Sequence, residues 1–237
     1  MDIRDSVGIL DSYFPQTEFF INADEFENYI KGVDYLVICT PNHTHKEYME
    51  IADRIGAEAI CEKPLVVDYN DISQINRRHN VILQMREDEI TVKKLKELNG
   101  DISIYYSTPR GSWYDKSWKG NQKLSGGLLL NIGIHLFDLA IYCYGKPIEQ
   151  GIYFNDNKTA FGYFTVESGR RISWRLSIEE DKKSRQINGI EIGVNPELHR
   201  YSYRRIMRNE GWHPEDILPA MGLVNEYKRV SENLFAL

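Results

Sequence analysis

The chain has 237 residues, 42% of them hydrophobic and 12% aromatic, enough for one large domain or two small ones with real cores. Its net charge of −6 gives no basic face for nucleic acid. The most apolar stretch, Leu128 to Tyr144, is broken by Asn131, His135 and Asp138 short of the ~20 residues of a membrane span. The opening MDIRDSVGIL lacks the basic and apolar regions of a signal peptide. Cys39, Cys61 and Cys143 lie in apolar settings without metal-ligand spacing. The expectation is therefore a cytoplasmic protein in a reducing compartment, with no nucleic-acid, membrane or metal partner.

The first third alternates helix and strand. Ala23 to Ile30 suggests a short helix, and Asp34 to Cys39 (DYLVIC) is a short apolar run suited to a buried parallel strand. His45 to Ile55 is an amphipathic helix closed by Gly56, followed by a strand at Ala59 to Cys61, a helix at Asp71 to Arg78 and a strand at Val81 to Gln84. This is the pattern of a doubly wound α/β unit. Beyond about residue 100 the style changes. Ile102 to Ser107, Gly151 to Phe154, Ala160 to Val166, Arg171 to Ile178 and Gln186 to Ile192 read as strands, with turns at Glu167-Ser168-Gly169 and Asn188-Gly189. Strands without intervening helices predict a large open antiparallel sheet, and helices at about Leu198 to Asn209 and Asp216 to Asn233 close the chain. The fold class is thus α/β plus α+β, divided at 1–86 and 87–237.

Several segments carry groups suited to chemistry. Gly126 to Tyr144 (GGLLLNIGIHLFDLAIYCY) reads as a helix apolar nearly all round, with Asn131, His135 and Asp138 stacked on one face at i, i+4 and i+7. Such a helix is buried, and buried polar groups are costly unless paired or used. Thr40-Pro41-Asn42 and His45 follow one strand, Glu62-Lys63-Pro64 the next, and Gln84 to Arg86, a weaker pointer, the third. In an open α/β sheet ligands bind at the carboxyl ends of the strands, although Thr40 and Asn42 serve equally as helix caps. A Lys and a His meeting in one cleft can run proton transfer. The loop Arg110 to Gly120 (RGSWYDKSWKG) offers Arg110, Lys116 and Lys119 to an anion, with Trp113 and Trp118 as stacking surfaces. Its structural alternative is a loop used only for packing or for a subunit contact, with Arg110 paired to a protein carboxylate. His199, Ser202, Tyr203 and Arg204 share a helix and read as capping and core packing.

The strings ICTPNHTH, AICEKP and SGGLLLNIGIHLFD, in that order, resemble the glucose–fructose oxidoreductase and inositol dehydrogenase family. With the added SWKG the chain is similar to the sugar-nucleotide branch, the UDP-N-acetylglucosaminuronate 3-dehydrogenases of surface-polysaccharide synthesis. The resemblance implies a nicotinamide-binding Rossmann domain with NAD or NADP, and a second domain whose sheet forms a homo-oligomer interface. It implies Lys63 and His135 as catalytic groups, and Thr40, Pro41, Asn42, His45, Glu62 and Lys63 as the cofactor lining. It places Asn131 where many relatives carry Asp, in the substrate region with His135, beside the Arg110, Trp118 and Lys119 of the loop. Oxidising a sugar hydroxyl needs a base for the proton while hydride leaves the carbon.

Family members open with a strand, a G-x-G-x-x-G turn and a helix; here no G-x-G-x-x-G occurs, and Met1 to Asp5 reads as the end of the second strand, with Asp2 at the acidic ribose-binding position. Losing two charge-assisted hydrogen bonds to a pyrophosphate costs about 3–6 kcal/mol, which predicts weak dinucleotide affinity for this chain. The alternative to a working oxidoreductase is a catalytically silent relative that binds a sugar nucleotide or serves as an assembly partner.

Overall fold

The computed structural model describes residues 22–30, 32–156, 158–193, 195 and 197–234. The reading of Met1 to Asp5 and of Asp2 lies outside the described residues. Helix α1 (Ala23–Tyr29) is capped by Asn22, whose side chain accepts from the Glu25 N–H at 2.8 Å. Strand β1 (Tyr35–Ile38), helix α2 (His45–Ile55), strand β2 (Glu58–Glu62) and strand β3 (Asn80–Ile82) follow, and the strands form a parallel sheet in the order β1-β2-β3. Gly56 ends α2 in the left-handed region at φ 78°, where its N–H reaches back to the carbonyls of Ala52 and Asp53.

Between β2 and β3 the predicted helix at Asp71 to Arg78 is instead a 3-10 segment, Tyr69–Gln74. The side chains there bind their own backbone. Asp68 accepts from Asn70 N–H, the Ser73 hydroxyl donates to the Asn70 carbonyl, and Asn76 accepts from Arg78 N–H. Such bonds compete with the helical ladder. A second 3-10 turn, Gln84–Glu87, leads into helix α3 (Glu89–Lys96), which Asp88 caps at Thr91 and which the sequence reading did not foresee.

The larger sheet holds β4 (Ile102–Ser107), β5 (Pro147–Asn155), β6 (Thr159–Val166), β7 (Arg171–Ser177), β8 (Ser184–Ile187) and β9 (Ile190–Glu191), in the order β5-β6-β7-β4-β8-β9. It is mixed rather than purely antiparallel, because β4 and β7 run parallel. The chain leaving β7 turns back as β8 on the far side of β4, so β4 is inserted between the two arms of a hairpin and must match one of them in direction. The predicted strand Gln186 to Ile192 is split at Asn188-Gly189, both at positive φ, into β8 and β9.

Short helices α4 (Trp113–Lys116) and α5 (Gln122–Ser125) precede the apolar run, which begins as a π-helical turn at Leu129–Gly133 and continues as α6 (Ile134–Tyr144). Helices α7 (Glu197–Ile206) and α8 (Pro214–Leu234) complete the chain. The stretch Gln122–Tyr144 is long and apolar enough to cross a membrane, contrary to the reading of its composition, but most of it is buried inside the protein. Phe137 of α6 makes edge contacts with Phe164 and Trp174 of the sheet, and the Trp174 indole donates to the Tyr227 hydroxyl of α8 at 2.9 Å. One continuous apolar core runs from the parallel sheet through α6 to the mixed sheet, so the two sheets hold α6 in a fixed place.

Candidate active site

The carboxyl ends of the parallel strands meet the N-terminal half of the apolar run at a cleft of ≈ 760 Å³. Lys63 follows β2 directly, and its Nζ donates to the Asn131 carbonyl at 3.0 Å. That carbonyl lies in the π-turn, a widened turn of the kind found at functional sites. Gly133 is the residue that lets the turn pack. A Cβ there would come within 2.7 Å of the Phe137 ring and 2.9 Å of Leu176. The Asn131 side chain reaches toward the Tyr114 hydroxyl at 3.5 Å, and both residues line the cleft with His135.

Burial lowers the Lys63 amine to about 8, with Lys119 adding to the effect and Glu62 opposing it. Burial also holds His135 well below the ordinary imidazole range, helped by the positive charges of Lys63, His199 and Arg185. At neutral pH the cleft therefore contains a neutral imidazole and a lysine within about one unit of losing its proton. Four cations line it, Lys63, Arg110, Lys119 and Arg185, against one lining carboxylate, Glu62. Glu62 is itself engaged by His199 Nε2 at 3.1 Å, and that hydrogen bond raises the His199 pKa. In an acidic chain this local excess of positive charge suits an anionic ligand.

Two features mark the cleft as unfinished. Buried side-chain atoms without a partner among the described residues are His79 Nε2, Gln84 Oε1 and Arg110 Nε, and the last two belong to residues of the cleft wall. Native structures rarely leave such atoms unpaired unless a water, an ion or a ligand meets them.

A family model described as an oxidoreductase family with an NAD-binding Rossmann fold matches residues 4–86, and its companion, a C-terminal alpha/beta domain, matches residues 95–188. The chain belongs to the Gfo/Idh/MocA oxidoreductase family. Two solved structures of the WlbA (WbpB) dehydrogenase from Thermus thermophilus are 33% identical to it and cover 92% of it. One holds NAD and alpha-ketoglutarate, with a TM-score of 0.83 and 82% of its own chain matched. The other holds NAD and UDP-GlcNAcA, with a TM-score of 0.81 and 81% matched. Among curated proteins, a myo-inositol 2-dehydrogenase of Thermotoga maritima is 30% identical over 133 residues, which are 50% of this chain and 38% of that enzyme. The matched segment is about two fifths of the length of such relatives.

Within this Gfo/Idh/MocA chain the residues singled out from sequence divide into two groups. Glu62, Lys63, Arg110, Lys119, Asn131 and His135 all line the cleft. Thr40, Pro41, Asn42, His45 and Trp118 are not on its wall. Asn42 is buried and donates from Nδ2 to the Ser125 carbonyl at 2.8 Å. The His45 ring is wedged between the carbonyls of Pro64 at 2.7 Å and Thr40 at 2.9 Å, and burial lowers its pKa. The Thr40 hydroxyl is hydrogen-bonded to that of Thr44. Asn42 and His45 thus tie the end of β1 to the segments before the π-turn and after Lys63. Trp118 lies under Lys119, 5.6 Å from its Nζ.

Asp138 is also corrected. It does not continue the Asn131–His135 stripe into the cleft, but forms a buried ion pair with Arg86, 2.6 Å and 3.0 Å from its carboxylate oxygens. His199 and Tyr203, read from sequence as packing residues, stand on the cleft wall. Their spacing on α7 was visible, but the partner of His199 lies 137 positions away at Glu62, and no local pattern carries that information. Ser202 does pack inward, donating to the Leu198 carbonyl.

Proposed function

We propose that this chain is an NAD-type oxidoreductase acting on a hydroxyl of a nucleotide sugar, in the manner of a UDP-N-acetylglucosaminuronate 3-dehydrogenase. The observation that carries the reading is Lys63, with its amine lowered to about 8, sharing a cation-lined cleft with a neutral His135. The residues present fit the nicotinamide end of a dinucleotide, since Glu62, Lys63 and Gln84 stand together at the carboxyl edge of the parallel sheet. No glycine-rich turn for its pyrophosphate occurs among the described residues. When bound, the nicotinamide would accept the hydride.

This chain's own residues would handle the proton and the charge. Unprotonated Lys63 accepts the proton of the sugar hydroxyl, with its Nζ steered by the Asn131 carbonyl. Neutral His135, on the same cleft wall, relays that proton without storing it. Arg110 and Lys119 grip the anionic part of the ligand, a pyrophosphate or a sugar carboxylate, and Asn131 supplies a carboxamide to the sugar. The WlbA structure that holds NAD and UDP-GlcNAcA supports this choice of ligand class.

The outer face of the mixed sheet supports self-association. Ile148, Tyr153 and Phe154 are 40–62% exposed, and the Tyr153, Phe161 and Tyr163 rings lie 5.7–6.3 Å apart along that face. A homo-oligomer joined there would cover them, and light scattering at micromolar concentration would read more than one chain.

Calorimetric titration of the full chain with UDP-N-acetylglucosaminuronic acid and with NADH, followed by an assay of NAD reduction, tests the reading. The sugar nucleotide should bind, NADH should bind more weakly than micromolar, and reduction should depend on both. Sugar-nucleotide binding without reduction at saturating NAD would make the chain the silent relative. No binding of the sugar nucleotide would overturn the reading.

A further inference from the structure

We propose that Gln84 is a ligand-positioning residue that pairs its carboxamide with an amide group of the molecule bound in the cleft. The proposal rests on the cleft being the ligand site named above. Gln84 is the second residue after β3, whose last residue, Ile82, is in register with Glu62 of β2. It therefore stands at the same sheet edge as Lys63, and it opens the 3-10 turn Gln84–Glu87 on the cleft wall.

Its Oε1 is buried and has no hydrogen-bond partner among the described residues. Leaving such a group unpaired costs stability that an apolar side chain of the same size would not. A carboxamide offers one acceptor and two donors on one plane, and its natural complement is a second amide, which meets it with two reciprocal hydrogen bonds.

Two ligand groups offer an amide N–H to that oxygen: the primary carboxamide of a nicotinamide ring, which can make both reciprocal bonds, and the trans acetamido group of an N-acetylated sugar, which can make one of them. Discrimination by such a residue is strong, because a ligand lacking the amide leaves the buried oxygen unpaired.

The test uses the full chain and its volume-matched Gln84→Met variant. Thermal unfolding without ligand should show the variant melting about 2–4 °C higher, the sign opposite to that of a structural glutamine. Titrations with NADH, UDP-N-acetylglucosaminuronic acid and UDP-glucuronic acid should show at least a tenfold loss of affinity for one amide-bearing ligand. A loss confined to NADH assigns the nicotinamide. A loss for the acetamido sugar nucleotide that spares UDP-glucuronic acid assigns the acetamido group.

A lower melting point, unchanged affinities, or equal losses for the two sugar nucleotides with NADH unaffected would each overturn the proposal. Millimolar nicotinamide and N-acetylglucosamine, followed by tryptophan fluorescence, separate the two readings. Gln84-dependent binding of either, with no binding of the larger ligands, would keep the role of Gln84 and overturn the proposed function. Failure of every amide probe to bind the unsubstituted chain would overturn both.

Discussion

Gln84 and Arg86 stand two residues apart on one 3-10 turn, yet they meet opposite surroundings. Arg86 points into the core behind α6. Its guanidinium is paired with Asp138, donates to the Asp216 carbonyl at 2.8 Å, and lies 4.9 Å and 4.7 Å from the Tyr142 and Trp212 ring centroids. Gln84 lines the cleft, and its Oε1 is buried without a hydrogen-bond partner among the described residues. Burial raises the Asp138 pKa even beside Arg86. The same turn thus serves a finished polar cluster on one side and an unfinished one on the other. Groups on the rear side hold the fold, whereas the proposed ligand site draws on the groups of the cleft side.

The sharpest way to test that contrast is at Lys63. Lys63→Met should lower turnover by about 10²–10⁴-fold, the usual contribution of a positioned base, while leaving the melting point nearly unchanged. The pH profile of the parent chain should carry the same signature. Because the Lys63 pKa is lowered and its unprotonated form is the active one, activity should rise with pH up to about 8 and then level off. His135 is already neutral across that window and should add no step near 6.5. A limb near 6.5 that is abolished by His135→Ala would exchange the two roles.

Asp138→Ala should do the reverse of Lys63→Met. It leaves Arg86 buried without its main counter-charge and should cost about 3–5 kcal/mol in chemical denaturation, with ligand affinity per folded molecule retained. The double replacement Arg86→Met with Asp138→Leu should cost much less, since it removes both charges. If Asp138→Ala instead weakened sugar-nucleotide binding without loss of stability, the division between the two sides would be wrong.

A smaller effect is expected at Arg110. No protein carboxylate pairs with it among the described residues, and its Nε is buried without a partner. Arg110→Ala should weaken UDP-N-acetylglucosaminuronic acid by about tenfold, equivalent to ~1.4 kcal/mol, with the fold intact. Unchanged affinity would assign the loop to packing.

Much of this was legible because it is local. The apolar run DYLVIC, the amphipathic His45–Ile55 and the stop at Gly56 each announce themselves within a few residues, and three strands of the mixed sheet appear with small errors at their ends, whereas β5 was read at less than half its length and β8 and β9 as one strand. Lys63 and His135 were legible through the strings around them. What escaped depends on distant pairing. The parallel match of β4 with β7 joins segments about 70 residues apart, and Asp138 finds Arg86 across 52. The hydrogen bonds of Thr40, Asn42 and His45 to backbone carbonyls and a neighbouring hydroxyl, some of them to distant segments, likewise emerge only in the assembled fold. The π-turn escaped because an apolar helix reads the same from its composition whichever ladder it adopts.

That turn has a consequence for how the chain tolerates change in length. Each residue of an α-helix advances the side-chain direction by about 100°, so the extra residue held between Leu129 and Gly133 offsets the phase of everything before it relative to α6. The face of α6 that carries Phe137 stays keyed to the mixed sheet, while the stretch ahead of it is free to aim the Asn131 carbonyl at Lys63. The two alignments are set independently, as on a vernier. Deleting a single residue there would let the run close as ordinary α-helix, keep the core in register, and turn the lysine's acceptor away by more than a quarter of a revolution.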